Sequence, residues 1–184
     1  MENTITDKDY SLAIKLLGRT PRTPFSVATK CSCGTPQVLL ADPIFKENSI
    51  WKPFPTFLWL VCPRLKAKIG ALENEGYITK YSNRLQNDAE FRDEFIAGQK
   101  IMSTKRVEMA SKTYGKELPE HIYKLLTETT IAGSSDIKGV KCLHAHLAHD
   151  LAFGGNPIGK EIRRITGECD SSVVCHKLTE EVCK

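Results

Sequence analysis

The sequence predicts an α+β fold, a small antiparallel three-stranded sheet packed against several helices. Three observations predict it. Short β-rich runs bounded by Gly and Pro fall in the first third of the chain, at residues 25–30, 37–41 and 56–62. Apolar residues at helical spacing precede them over residues 7–17 and fill most of the chain after Pro63. The 184 residues are 41% hydrophobic and 26% charged, enough to bury a core without disulfides or a metal.

In residues 7–17, Tyr10, Ala13, Ile14 and Leu17 share a helical face, and Gly18 ends it. The basic turn that follows has prolines at 21 and 24 and cannot continue the helix. Two strands, 25–30 and 37–41, flank Cys31-Ser32-Cys33-Gly34-Thr35-Pro36, whose Gly and Pro read as a hairpin turn. Residues 42–55 contain three prolines and read as a loop. Residues 56–62 form a third strand that Pro63 stops. Pro63 suits the first turn of a helix carrying Leu65, Ile69 and Leu72, with Gly76 at its end. Asp88 caps a long helix with Phe91, Phe95, Met102 and Met109, and Pro119 opens another with Ile122, Leu125 and Leu126. Residues 139–153 read as a helix bearing the histidines, closed by Gly154-Gly155. Asn156-Pro157 caps a last helix with Ile158, Ile162 and Ile165, which Gly167 ends. The expected organisation is a single α+β domain over residues 1–167 with a Cys-rich tail over 168–184.

The net charge of +4 is too weak to imply nucleic acid. No Walker loop, G-x-G-x-x-G, G-x-S-x-G or aromatic-plus-basic RNA signature is present. The N-terminus has no apolar signal core, and the longest apolar run, near 57–62, is far short of the roughly 18 residues of a membrane span. A cytoplasmic location without membrane association is expected. Seven cysteines, an odd number at uneven spacings, then favour thiol or metal chemistry over a disulfide framework.

Cys31 and Cys33 are one residue apart in a turn, where both thiols can face one ion and Gly34 lets the backbone bend. Cys62 precedes Pro63 at a helix start, where the dipole favours a thiolate. On a helix over 139–153, Cys142, His146 and His149 fall within a sector of about 60°, and His144 points to the other side. Cys142 and His146 have the i, i+4 spacing of helical metal sites. The tail adds Cys169, Cys175, His176 and Cys183 without a tight spacing; they offer a second metal site, against the simpler reading of an exposed segment with incidental thiols. Arg19, Arg22, Lys30, Arg64 and Lys141 are cations that can stabilise a thiolate or an anionic ligand.

Several stretches occur in a telling order: Gly18-Arg19-Thr20-Pro21-Arg22, the Cys31–Pro36 turn, Pro53-Phe54-Pro55-Thr56-Phe57-Leu58-Trp59-Leu60-Val61-Cys62-Pro63, Leu72-Glu73, Gly139-Val140-Lys141-Cys142-Leu143-His144-Ala145 and Gly155-Asn156-Pro157-Ile158-Gly159. Together they resemble the uncharacterised bacterial family called domain of unknown function 501 (DUF501), over residues 18–159. The resemblance implies a cytoplasmic bacterial protein and implies no activity. It places Cys31, Cys33, Cys62, Cys142 and His144 inside family-pattern stretches, His146 and His149 at the edge of one, and the tail cysteines outside.

Three functional classes compete. In a metal-binding protein, Cys31, Cys33, Cys62 and Cys142, with His146 as a replacement ligand, hold zinc or an iron–sulfur cluster. In a cysteine-dependent enzyme, Cys142 or Cys62 is the nucleophile and His144 or His146 the base, while Arg19, Arg22 or Lys141 holds a small anionic substrate. In a non-catalytic interaction module, the long helix over 88–115 pairs with a partner helix. The metal reading leads, and convergence of the sulfur atoms discriminates it from the others.

Overall fold

The computed structural model describes residues 5–54, 56–115, 118–131, 139–168, 175 and 177. The architecture is α+β, with seven helices and two small antiparallel sheets among the described residues. None of these helices is long and apolar enough to cross a membrane.

Helix α1 (Asp7–Leu17) starts on a Thr6 side-chain cap and stops at Gly18, whose φ of 71° is the left-handed conformation that glycine adopts without strain. Strands β1 (Phe25–Lys30) and β2 (Pro36–Ala41) form the expected hairpin, and β5 (Leu58–Leu60) pairs with the far edge of β2. The strand order is β1-β2-β5, all antiparallel. The sheet obeys the period of two. Leu39 and Trp59 face Ala13 of α1, while Val38, Leu58 and Leu60 face the main core.

The proline-bearing segment 42–55 departs from the expected loop. It holds a second hairpin of β3 (Ile44–Glu47) and β4 (Ile50–Pro53), turning on Asn48 and Ser49, both at positive φ. Prolines are tolerated because both strands are edges of a two-stranded ribbon. The hairpin buries Ile44 against Ala110, Ile122 and Leu126.

Helix α2 (Pro63–Asn74) begins at Pro63 as expected. Helix α3 (Tyr77–Asn87) follows almost at once and is not anticipated by a cap signal, since its N-cap is Gly76 with no capping side chain. The Asp88 carboxylate accepts the Phe91 N–H at 3.0 Å and starts α4 (Ala89–Tyr114). Its apolar stripe, Phe91, Phe95 and Met102, is buried in the chain's own core, so that face is not available to a partner helix. Helix α5 (Glu120–Glu128) packs beside it.

Helix α6 (Leu143–Phe153) starts four residues later than the sequence suggests. Helix α7 (Pro157–Thr166) follows on the Asn156 cap. These two helices touch backbone to backbone, because a Cβ added at Gly159 would collide with the His146 carbonyl. Gly159→Ala should therefore destabilise the fold by about 2–3 kcal/mol through overpacking. Urea unfolding measures it, and an unchanged midpoint would contradict this close approach.

Candidate functional site

The β1–β2 turn is built to present sulfur. The Gly34 N–H donates to the Cys31 carbonyl at 2.9 Å, and the Cys31 N–H donates to the Thr35 carbonyl at 3.0 Å. Gly34 takes a φ of 74°, which suits glycine there. This tight turn sets the thiols of Cys31 and Cys33 beside each other. The third sulfur comes from Cys175, only 3% exposed, and the three sulfurs lie within 4.8 Å of one another.

Cys62 borders this trio without belonging to its tightest set. It is buried as the N-cap of α2. Burial pushes its thiol pKa up, and the nearby Cys175 and Cys31 add to the rise. The backbone N–H groups of Leu65 and Arg64 donate to its sulfur and oppose the rise. Desolvation also raises the Cys33 pKa, helped by hydrogen-bond contact and like charge from Cys31 and by Cys175. Cys33 and Cys62 thus resist ionisation, and a bound cation would relieve the charge of their thiolates.

Two contacts tie the C-terminal end of α7 to α2. The Lys68 ammonium donates to the Thr166 carbonyl, and the Arg64 guanidinium donates to the Glu168 carbonyl. Both donors are on α2, whose N-cap is Cys62. Cys175 is a buried member of a thiol cluster, not an incidental exposed thiol. Cys169, His176 and Cys183 lie outside the described residues.

Cys142 is not part of this cluster. It is the N-cap of α6, in an extended conformation with φ −160°. The i, i+4 relation to His146 that a longer helix would give does not hold, because Cys142 precedes the helix. Its sulfur instead contacts His144 Nδ1 at 3.7 Å, and Glu73 Oε1 approaches the same nitrogen at 3.3 Å. Glu73 Oε1 also accepts the Leu143 N–H at 2.8 Å, which fixes the carboxylate against the start of α6. The Cys142 contact raises the His144 pKa, burial opposes it, and the charges of Cys142 and Glu73 raise it further. Glu73, Cys142 and His144 form a second three-atom group within 4.8 Å.

A cleft of about 540 Å³ opens beside this second group. Cys142, His144, Arg19, Lys141 and Trp59 line it. The Arg19 guanidinium lies 5.0 Å from the centroid of the Trp59 ring. Arg22 does not line the cleft; its charge acts on Glu47 instead.

His146 and His149 are a correction of a different kind. Both are buried, 3% and 0% exposed. Asn156 Oδ1 accepts the Gly159 N–H at 2.8 Å, which orients the amide so that Nδ2 donates to His146 Nδ1 at 3.2 Å and to His149 Nδ1 at 3.0 Å. Both imidazoles are thus neutral acceptors with the ring proton on Nε2. Burial drives the His146 pKa down to about 3 and that of His149 to about 4. They serve the core, not the thiol cluster.

The sequence does not single out Glu73, and it places Cys175 with the tail rather than with Cys31 and Cys33. Cys175 carries no local signal. Glu73 appears only as half of the Leu72-Glu73 pair.

A family model described as a protein of unknown function (DUF501) matches residues 27–164 of the chain. No curated protein and no solved structure matches it.

Proposed function

We propose that the chain, which belongs to the DUF501 family, is a metal-binding protein built around a zinc-type thiolate centre of Cys31, Cys33, Cys175 and Cys62. The observation that supports this reading is the convergence of Cys31, Cys33 and Cys175 within 4.8 Å. A tetrahedral ion with zinc–sulfur bonds of about 2.3 Å holds its sulfurs about 3.8 Å apart, which falls inside that limit. A four-iron cluster binds each thiolate to a separate iron and spreads the ligands wider. Cys62 is the natural fourth ligand, because the two α2 amides aimed at its sulfur stabilise a thiolate. With four thiolates the coordination is closed, which makes the centre structural: it fastens the β1–β2 turn and the start of α2 to a segment more than a hundred residues away.

Metal analysis of the full chain, purified without added metal, tests this. Zinc is expected, and Cys175→Ser should lose one equivalent per chain relative to the parent. An unchanged zinc content in Cys175→Ser would overturn the centre. Iron with visible charge-transfer absorption would overturn the zinc assignment.

A further inference from the structure

We infer that the chain carries a second, open metal site on Glu73, Cys142 and His144, taking a zinc-class divalent cation whose remaining position faces a cleft suited to a small oxyanion. The site uses none of the residues of the thiolate centre, so either can fail without the other.

Cys142 Sγ is 3.7 Å and Glu73 Oε1 is 3.3 Å from His144 Nδ1. An ion with tetrahedral bonds of about 2.3 Å to sulfur and about 2.0–2.1 Å to nitrogen and oxygen sets a sulfur–nitrogen edge of about 3.6 Å and a nitrogen–oxygen edge of about 3.4 Å. The two observed separations are close to those edges. The ligand types, thiolate, imidazole and carboxylate, are those that zinc-class ions take. The carboxylate is already fixed by the Leu143 N–H at 2.8 Å, the kind of outer contact that orients a ligand.

A thiol–imidazole–carboxylate relay explains the cluster less well. A relay needs the thiol and the carboxylate on opposite ring nitrogens, so that a proton taken on one side is matched by support on the other. Here both approach Nδ1, and one ring hydrogen cannot serve both well. A cation at the point where the three atoms meet uses all of them.

Three protein ligands leave the fourth position of a tetrahedral ion open. Cys142 and His144 both line the cleft, so that position is next to it. Among the described residues, the cleft is lined by the cations Arg19 and Lys141 and by no acidic side chain. Arg19 is positioned over Trp59, where its planar fork remains available to an oxyanion such as a phosphate or carboxylate. The ion and the two cations together define a ligand that is small and negatively charged.

The test uses the full chain produced with cobalt in place of zinc. The parent should hold two equivalents and His144→Ala one, with the thiolate centre's charge-transfer bands retained. Cys175→Ser should lose the other equivalent, so the two centres are separated. Inorganic phosphate should shift the ligand-field bands of the parent and leave those of His144→Ala unchanged. Arg19→Ala should weaken the phosphate response by about tenfold. If His144→Ala and Glu73→Gln both keep the parent's metal content, the site is overturned. A parent spectrum indifferent to phosphate would remove the open position. Fast single-site alkylation of Cys142 in protein whose metal content does not depend on His144 would assign the cluster to a thiol nucleophile instead.

Discussion

Asn156→Ala should lower the unfolding free energy by about 3–7 kcal/mol, a large share of what a domain of this kind has to lose. One side chain performs three tasks. Its oxygen accepts the Gly159 N–H and caps α7, and its amide supplies the buried Nδ1 atoms of His146 and His149. Losing the cap costs about 1 kcal/mol. Each buried acceptor left without a donor costs about 1–3 kcal/mol more. Asn156→Asp separates these costs, because a carboxylate keeps the cap and cannot donate to either imidazole. Urea unfolding at neutral pH should rank the parent above Asn156→Asp, and that above Asn156→Ala. Equal midpoints for all three would remove Asn156 from this role.

The second large effect is acid sensitivity. An unfolded histidine titrates near 6.5. In the fold the pKa of His149 is about 4 and that of His146 about 3. Below pH 6.5 the unfolded chain takes up protons that the folded chain refuses, so stability is full above that pH and falls as the pH drops toward 4 and 3. Each histidine contributes a slope of about 1.4 kcal/mol per pH unit, so the pair costs about 4 kcal/mol by pH 5. Asp42 and Asp150, whose carboxyl pKa values burial raises, act in the opposite sense, taking up protons in the fold before the unfolded chain does as the pH falls toward the ordinary carboxylate range. Urea midpoints at pH 7, 6 and 5 measure the slope. His146→Gln should lose about half of it, which protonation of metal-bound thiolates would not produce. A stability that is flat from pH 7 to 5 in the parent would contradict neutral, buried imidazoles.

What the sequence makes legible is what local chemistry decides. Asp88 and Asn156 cap helices because a short polar side chain before an apolar period has few other uses. Gly18 ends α1 for an equally local reason. The β3–β4 hairpin was hidden because its strands are four residues long and contain a proline, and its turn uses Asn48 and Ser49 in place of glycine. The start of α6 was hidden because periodicity fixes a helix's face and not its first residue. That displacement of four residues dissolved the expected grouping of Cys142 with His146 and His149. Arg19, Lys141, Cys142 and His144 line one cleft, whereas Arg22 does not. Cys175 was illegible for a different reason. Nothing in its neighbours encodes a meeting with a turn that lies 142 positions before it, from Cys33.

That same separation orders events in time. Hairpin contacts between neighbouring strands form early, and contacts across most of a chain form last, because their closure entropy must be met first. The β1–β2 turn can offer Cys31 and Cys33 to an ion while the rest of the polypeptide is still unstructured. Two sulfurs give such an ion a loose seat from which it exchanges readily. In the proposed centre, retention would begin only when residue 175 arrives, so the finished chain would make the choice of ion, after wrong occupants had time to leave.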